Sequence, residues 1–158
     1  MMSIKKLLAL GTTALVVALS ILSLSVAGAN AQPSPQGSLF VPVNPVRVLD
    51  TRNGTGGVPV APLVHTLTFT PAGVPMGATA VVLNITTVNA TDLSYLSVYP
   101  DGSNEAGQIS QVTVPAGQPI TDEVTVKVPL NRAIDIFNHM GDVNVVADLA
   151  GYYVPAIS

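Results

Sequence analysis

The sequence predicts an all-β fold, an antiparallel two-sheet β-sandwich of the jelly-roll kind with about nine short strands. Three observations carry this expectation. From residue 39 onward Val, Thr and Ile dominate, and Pro and Gly, 13 of each in the chain, punctuate at short intervals. No window keeps the i, i+3, i+4 spacing of an amphipathic helix, whereas several alternate apolar and polar residues with a period of two. Strand-length segments recur at the spacing of sandwiches and barrels, and none repeats another, so the domain is one unit rather than an array.

Residues 1–31 read as a signal peptide. Lys5 and Lys6 precede an uncharged run rich in Leu, Val and Ala, and Ala29-Asn30-Ala31 supplies the small-x-small cleavage pattern. At about 1.5 Å per helical residue the run could span a bilayer if it stayed uncut. Gly28 and the Ala-x-Ala pattern favour cleavage before Gln32 instead, with no membrane insertion afterwards and a secreted, extracellular destination. Removing 31 of the 158 residues leaves 127 and takes both leader lysines away. Four basic residues then face nine acidic ones, a net charge of −5. That balance excludes a nucleic-acid partner bound through phosphate neutralisation, which needs a basic patch. The chain has no cysteine, and a domain of this size buries a sufficient core without disulfide staples.

Residues 32–38 (QPSPQGS) form a flexible tether with no apolar periodicity, and residues 39–158 form the single β-sandwich domain. Residues 39–43 and 46–50 are two short strands that Pro42 and Pro45 confine to an edge or a sheet crossing. Residues 51–62 are a loop. Residues 63–70 alternate as a half-buried strand does. Residues 78–89 are the longest apolar run and the expected central strand. Residues 94–99 follow, ended by the turn chemistry of Pro100-Asp101-Gly102. Strands at 109–114, 120–128, 133–138 and 143–154 complete the set.

Three groups of residues are candidates for more than packing. In a chain with 9% charged residues, Arg47, Asp50 and Arg52 stand within six positions of one another. Asp50, Arg52 and Asp148 are read as a structural ion-pair cluster fastening the first strand to the last, because a planar guanidinium matches carboxylate geometry. Tyr95, Ser97 and Tyr99 share one parity and Leu96 and Val98 the other. With Leu96 and Val98 in the core, the tyrosines are displayed about 13–14 Å apart, a spacing suited to stacking on an extended polysaccharide. The turn Asp101-Gly102-Ser103-Asn104-Glu105 is rich in oxygen ligands, yet it lacks the twelve-residue calcium-loop pattern and reads as solvated. No metal site or cofactor is expected. His65 and His139 fall outside any HExxH motif, and no GxSxG is present, so the protein is not read as an enzyme.

Five ordered blocks carry a resemblance: PVRVLDTR at 45–52, GVP at 73–75, AVVLNIT at 80–86, YLSVYP at 95–100 and DLAGYY at 148–153. Together they resemble the "VLDTR…GYY" domain of secreted bacterial proteins, over about residues 40–153. The resemblance implies an accessory extracellular module, found beside peptidases and cell-wall enzymes, with no activity of its own to transfer. Many such domains carry Cys at the position of Val46 and just before the Gly-x-Pro block. This chain has neither. The expected function is a secreted, non-catalytic module that binds a surface glycan or another cell-envelope component. The alternative is an extracellular structural protein that self-associates through its Thr- and Val-rich sheet faces or edges.

Overall fold

The computed structural model describes residues 37–156. The expected leader, residues 1–31, and most of the tether lie outside the described residues. Within them the fold is all-β, with eight strands and no helix. These are β1 (Ser38–Asp50), β2 (Thr66–Phe69), β3 (Ala80–Val88), β4 (Ser94–Pro100), β5 (Val112–Val114), β6 (Ile120–Lys127), β7 (Ile134–Asn138) and β8 (Asn144–Pro155). They form two four-stranded sheets, β1-β8-β3-β6 and β2-β7-β4-β5, in which every neighbouring pair is antiparallel.

Eight strands replace the expected nine because residues 39–43 and 46–50 belong to one edge strand, β1. Pro42 and Pro45 do not interrupt it, since an edge strand has an unpaired side on which a missing N–H costs no ladder bond. The pairing with β8 instead slips twice, between Pro42 and Val46 and between Arg47 and Leu49. The second slip makes Val48 an extra residue opposite β8. A bulge of this kind re-aims the side chains beyond it, which explains why Val48, Leu49 and Asp50 are buried in succession. Two other strands are shorter than their periodicity suggests. Leu63 makes an isolated bridge to Val143, so β2 begins only at Thr66. Residues 109–111 run beside β4, with Gln111 bonding to it, before β5 begins.

The two sheets share one buried core, drawn from the inward parity of each strand: Leu83 and Ile85 of β3, Val124 and Val126 of β6, Leu96 and Val98 of β4, Ile134 and Ile136 of β7, and Val145 and Leu149 of β8. Burying about 25 cal/mol per Å² of apolar surface, these side chains supply the main stabilisation.

Candidate functional site

The outer face of the second sheet carries the candidate site. Alternation along β7 puts Ile134, Ile136 and Asn138 inward, and Asp135, Phe137 and His139 outward. The register sets Asp135 opposite Tyr99 and Phe137 opposite Ser97, and His139 donates its backbone N–H to Tyr95 O at 3.2 Å. On the flanking strands Thr68 lies opposite Asp135, Thr66 opposite Phe137 and Thr113 opposite Tyr95. The rows are about 7 Å apart along the strands and about 5 Å from strand to strand.

The expectation that Tyr95, Ser97 and Tyr99 form a displayed face holds for their parity but not for their exposure. Ser97 is 0% exposed and Tyr99 2%. Burial pushes the Tyr99 phenol above its ordinary 10.0, with Thr66 acting against the shift and the nearby Asp135 carboxylate adding to it. Over Tyr95 and Ser97 the cover comes from the loop after β4, while Tyr99 meets Thr66 and Asp135 of the neighbouring strands. Tyr95 donates its hydroxyl to Gly107 O at 3.1 Å and Ser97 donates to Ile109 O. The Gln111 side-chain amide bonds both backbone groups of Val98, accepting from its N–H at 2.6 Å and donating to its C=O at 2.8 Å. Gln111 thus stands in for the peptide of a neighbouring strand. Gly107, at a φ of 69°, lies against the Phe137 ring. A side chain there would strain both the backbone and that contact.

What remains open is a strip of aromatic rings. His139 stacks on Tyr95 with ring centroids 4.6 Å apart and planes 20° from parallel. Phe137 lies 6.5 Å from His139. His139 is exposed and the other two are half-buried. Beside the strip Thr68 donates to Asp135 at 2.5 Å, the Thr66 hydroxyl bonds Tyr99, and Thr113 is exposed. The position of His139 is fixed from beneath by Asn138, which is 0% exposed. Its Nδ2 donates to Leu63 O and Gly141 O at 3.1 and 2.7 Å, and its Oδ1 accepts from Ser94 Oγ at 2.8 Å. Ser94 Oγ in turn accepts from Met140 N–H at 2.9 Å. A buried amide satisfied on three sides holds the turn rigidly.

Asp50, Arg52 and Asp148 lie at one margin of the first sheet, and they are joined through a fourth residue. Arg52 Nε and Nη2 donate to Asp50 at 2.9 and 2.7 Å. Asp148 is held by Arg47, whose Nε and Nη2 donate to it at 3.0 and 3.1 Å. Arg47 Nη1 also lies 3.5 Å from Asp50. Arg47 therefore spans β1 to β8, while Arg52 closes on its own strand end. The hydrogen bond from Arg52 is the main cause that holds the Asp50 carboxyl at about 2, against the opposing effect of burial.

His65 lines an open groove of about 300 Å³ in which no carboxylate takes part. The turn at 101–105 bonds largely to itself and its neighbours, Ser103 to Glu105 at 3.3 Å and Asn131 to Asp101 at 2.8 Å. Among the described residues no group of three or more His, Asp or Glu converges as metal ligands would. No protein-family model matches the chain, and no curated protein matches it.

The sequence reading singled out the tyrosines and missed Phe137 and His139 as their partners. A signal was present. The alternation of residues 134–138 continues through His139, which assigns 135, 137 and 139 to one face. The charge of Arg47 is visible in the sequence, but its place in the cluster follows from the register that sets it opposite Asp148, and that register leaves no trace in composition.

Proposed function

We propose that this chain is a secreted, non-catalytic jelly-roll module that binds an extended glycan of the cell envelope on the outer face of its second sheet. The strand orders 1-8-3-6 and 2-7-4-5 support the jelly-roll reading, an architecture widely used by lectin domains. The likeness to secreted VLDTR…GYY domains supports the extracellular address. Its two end blocks are the ones that pair as β1 and β8.

The observation that carries the binding reading is the exposed His139 ring stacked on Tyr95, with Phe137 beside it and threonine hydroxyls along its margins. Sugar rings offer apolar C–H faces to aromatic planes and hydroxyls to short polar side chains, and this strip provides both. The test is sedimentation with insoluble polysaccharides and purified cell walls. His139→Ala should melt within about 0.5 kcal/mol of wild type, as exposed positions do. Its binding should fall roughly three- to tenfold, the worth of one aromatic contact. Unchanged binding by His139→Ala overturns the site.

A second reading is favoured by the apolar side chains at the same end. Leu93 and Met140 are exposed on turns joined by the Thr91–Asp142 and Met140–Ser94 bonds. If the strip is a self-association surface, light scattering should show an oligomer that Leu93→Ser and Met140→Ser dissolve.

A further inference from the structure

Four cations lie beyond the leader, and two of them are engaged by carboxylates, Arg47 by Asp148 and Asp50, and Arg52 by Asp50. The other two, Lys127 and Arg132, make no ion pair among the described residues, yet they line one concavity of about 390 Å³. It lies between the turn that enters β3 and the turn that leaves β6. Its two lips are Met76, 74% exposed, and Leu130, 92% exposed. No carboxylate lines it. Of the acids on adjoining turns, Asp101 accepts from Asn131, and Glu105 lines a neighbouring concavity that shares Lys127.

Arg132 is an unusual residue for its place. Its φ is 59°, the left-handed region that a residue with a β-carbon adopts at a cost. The turn is closed by Arg132 N–H donating to Pro129 O at 2.8 Å, a role in which glycine would be easier. Arginine there brings a guanidinium into the concavity, fixed by Nη1 donating to Val74 O at 2.5 Å. Its Nε is buried and meets no acceptor among the described residues. A strained backbone holding an incompletely satisfied cation beside a second free cation is a pattern that function explains better than stability does.

We propose that this concavity binds an anionic head group carried on an apolar chain. Lys127 and the Arg132 Nη donors not spent on Val74 would meet the head group, and Met76 and Leu130 would flank the chain. The volume falls in the range of about 300–1,000 Å³ usual for small-molecule sites. The site is independent of the glycan strip, since Arg132 precedes β7 and His139 follows its far end.

Amide NMR titration of the purified protein with octanoate, acetate and octanol tests the proposal. Octanoate should shift residues 76–79 and 127–132, and the two half-probes should each bind at least about tenfold more weakly, as expected if both parts contribute. Lys127→Gln should keep the wild-type melting temperature and lose about fivefold in octanoate affinity, the effect of one cation near an anionic group. Leu130→Ser should also weaken binding. Cosedimentation with phosphatidylglycerol vesicles, absent with phosphatidylcholine and competed by octanoate, would place the head group in a bilayer. Octanoate binding without cosedimentation would place it on a free acid. Equal affinity for octanol and octanoate overturns the proposal, as does a Lys127→Gln protein that binds octanoate like wild type. So does the absence of both shifts and cosedimentation.

Discussion

A carboxylate that is 1% exposed must be compensated or it takes up a proton, and Asp50 is compensated from three sides. It accepts from the Arg52 side chain, from Arg52 N–H at 3.0 Å, and lies within 3.5 Å of Arg47. These hold its carboxyl at about 2 rather than 3.8. The folded state therefore binds the proton less readily than the unfolded chain does. The stabilisation is present in full above the unfolded value of 3.8 and is lost as the pH falls through about 2. Its size is on the order of 2 kcal/mol. Asp50→Asn should therefore melt well below wild type near neutrality, and the gap should close as the pH falls from 3.8 towards 2. A gap that stays constant over that window would show that Asp50 acts through shape alone.

Thr51, the next residue, makes the corresponding link between elements. It is 1% exposed. Its N–H donates to Val145 O at 3.0 Å, and its hydroxyl accepts from Val145 N–H at 3.1 Å and donates to Asn144 at 3.2 Å. The end of β1 is thus bonded to the start of β8. Thr51→Val keeps the shape and leaves a buried N–H without its acceptor, so it should cost about 1–3 kcal/mol in denaturant melts. Thr55→Val, on an exposed bond to Asn53, should stay within about 0.5 kcal/mol. The loop just after Thr55 needs Gly56, whose φ is 89° and whose added β-carbon would lie 2.6 Å from Val48 O.

How much of this was legible varies with the physical origin of each element. The alternation of β3, β6 and β7 is dictated by one buried face, so it is written in the residues themselves. The bulges of β1 depend on register with a strand about a hundred residues away, and nothing local marks them. The burial of Ser97 was hidden for a similar reason, because its cover is a loop without apolar periodicity that bonds largely through Gly107 O, Ile109 O and the Gln111 amide. A backbone acceptor has no sequence signature. The pairing of Arg47 with Asp148 was open to inference only once β1 and β8 were known to be neighbours.

The whole molecule is built from non-local pairings. The first sheet places the first strand beside the last, and the second places β2 beside β7. Closing such long loops costs chain entropy before any contact repays it, so folding should take milliseconds to seconds, as sandwiches of high contact order do. The order of events follows from the same reasoning. The pair β4–β7 and the pair β3–β6 each close shorter loops than β1–β8, and each contributes fully buried apolar residues to the core. β1 is an edge strand with two register slips and exposed residues along most of its length, so it should dock last. Mutations that weaken its docking should then act after the folding barrier. Thr51→Val is expected to accelerate unfolding by its whole stability loss and leave the refolding rate nearly unchanged. Ile136→Val, in the core of the second sheet, should instead slow refolding by a substantial fraction of its cost, about 0.5–1.5 kcal/mol. Stopped-flow unfolding and refolding of the two variants separates these outcomes. If Thr51→Val slows refolding as much as Ile136→Val does, the β1–β8 clasp belongs to the nucleus, and the first sheet forms as one unit.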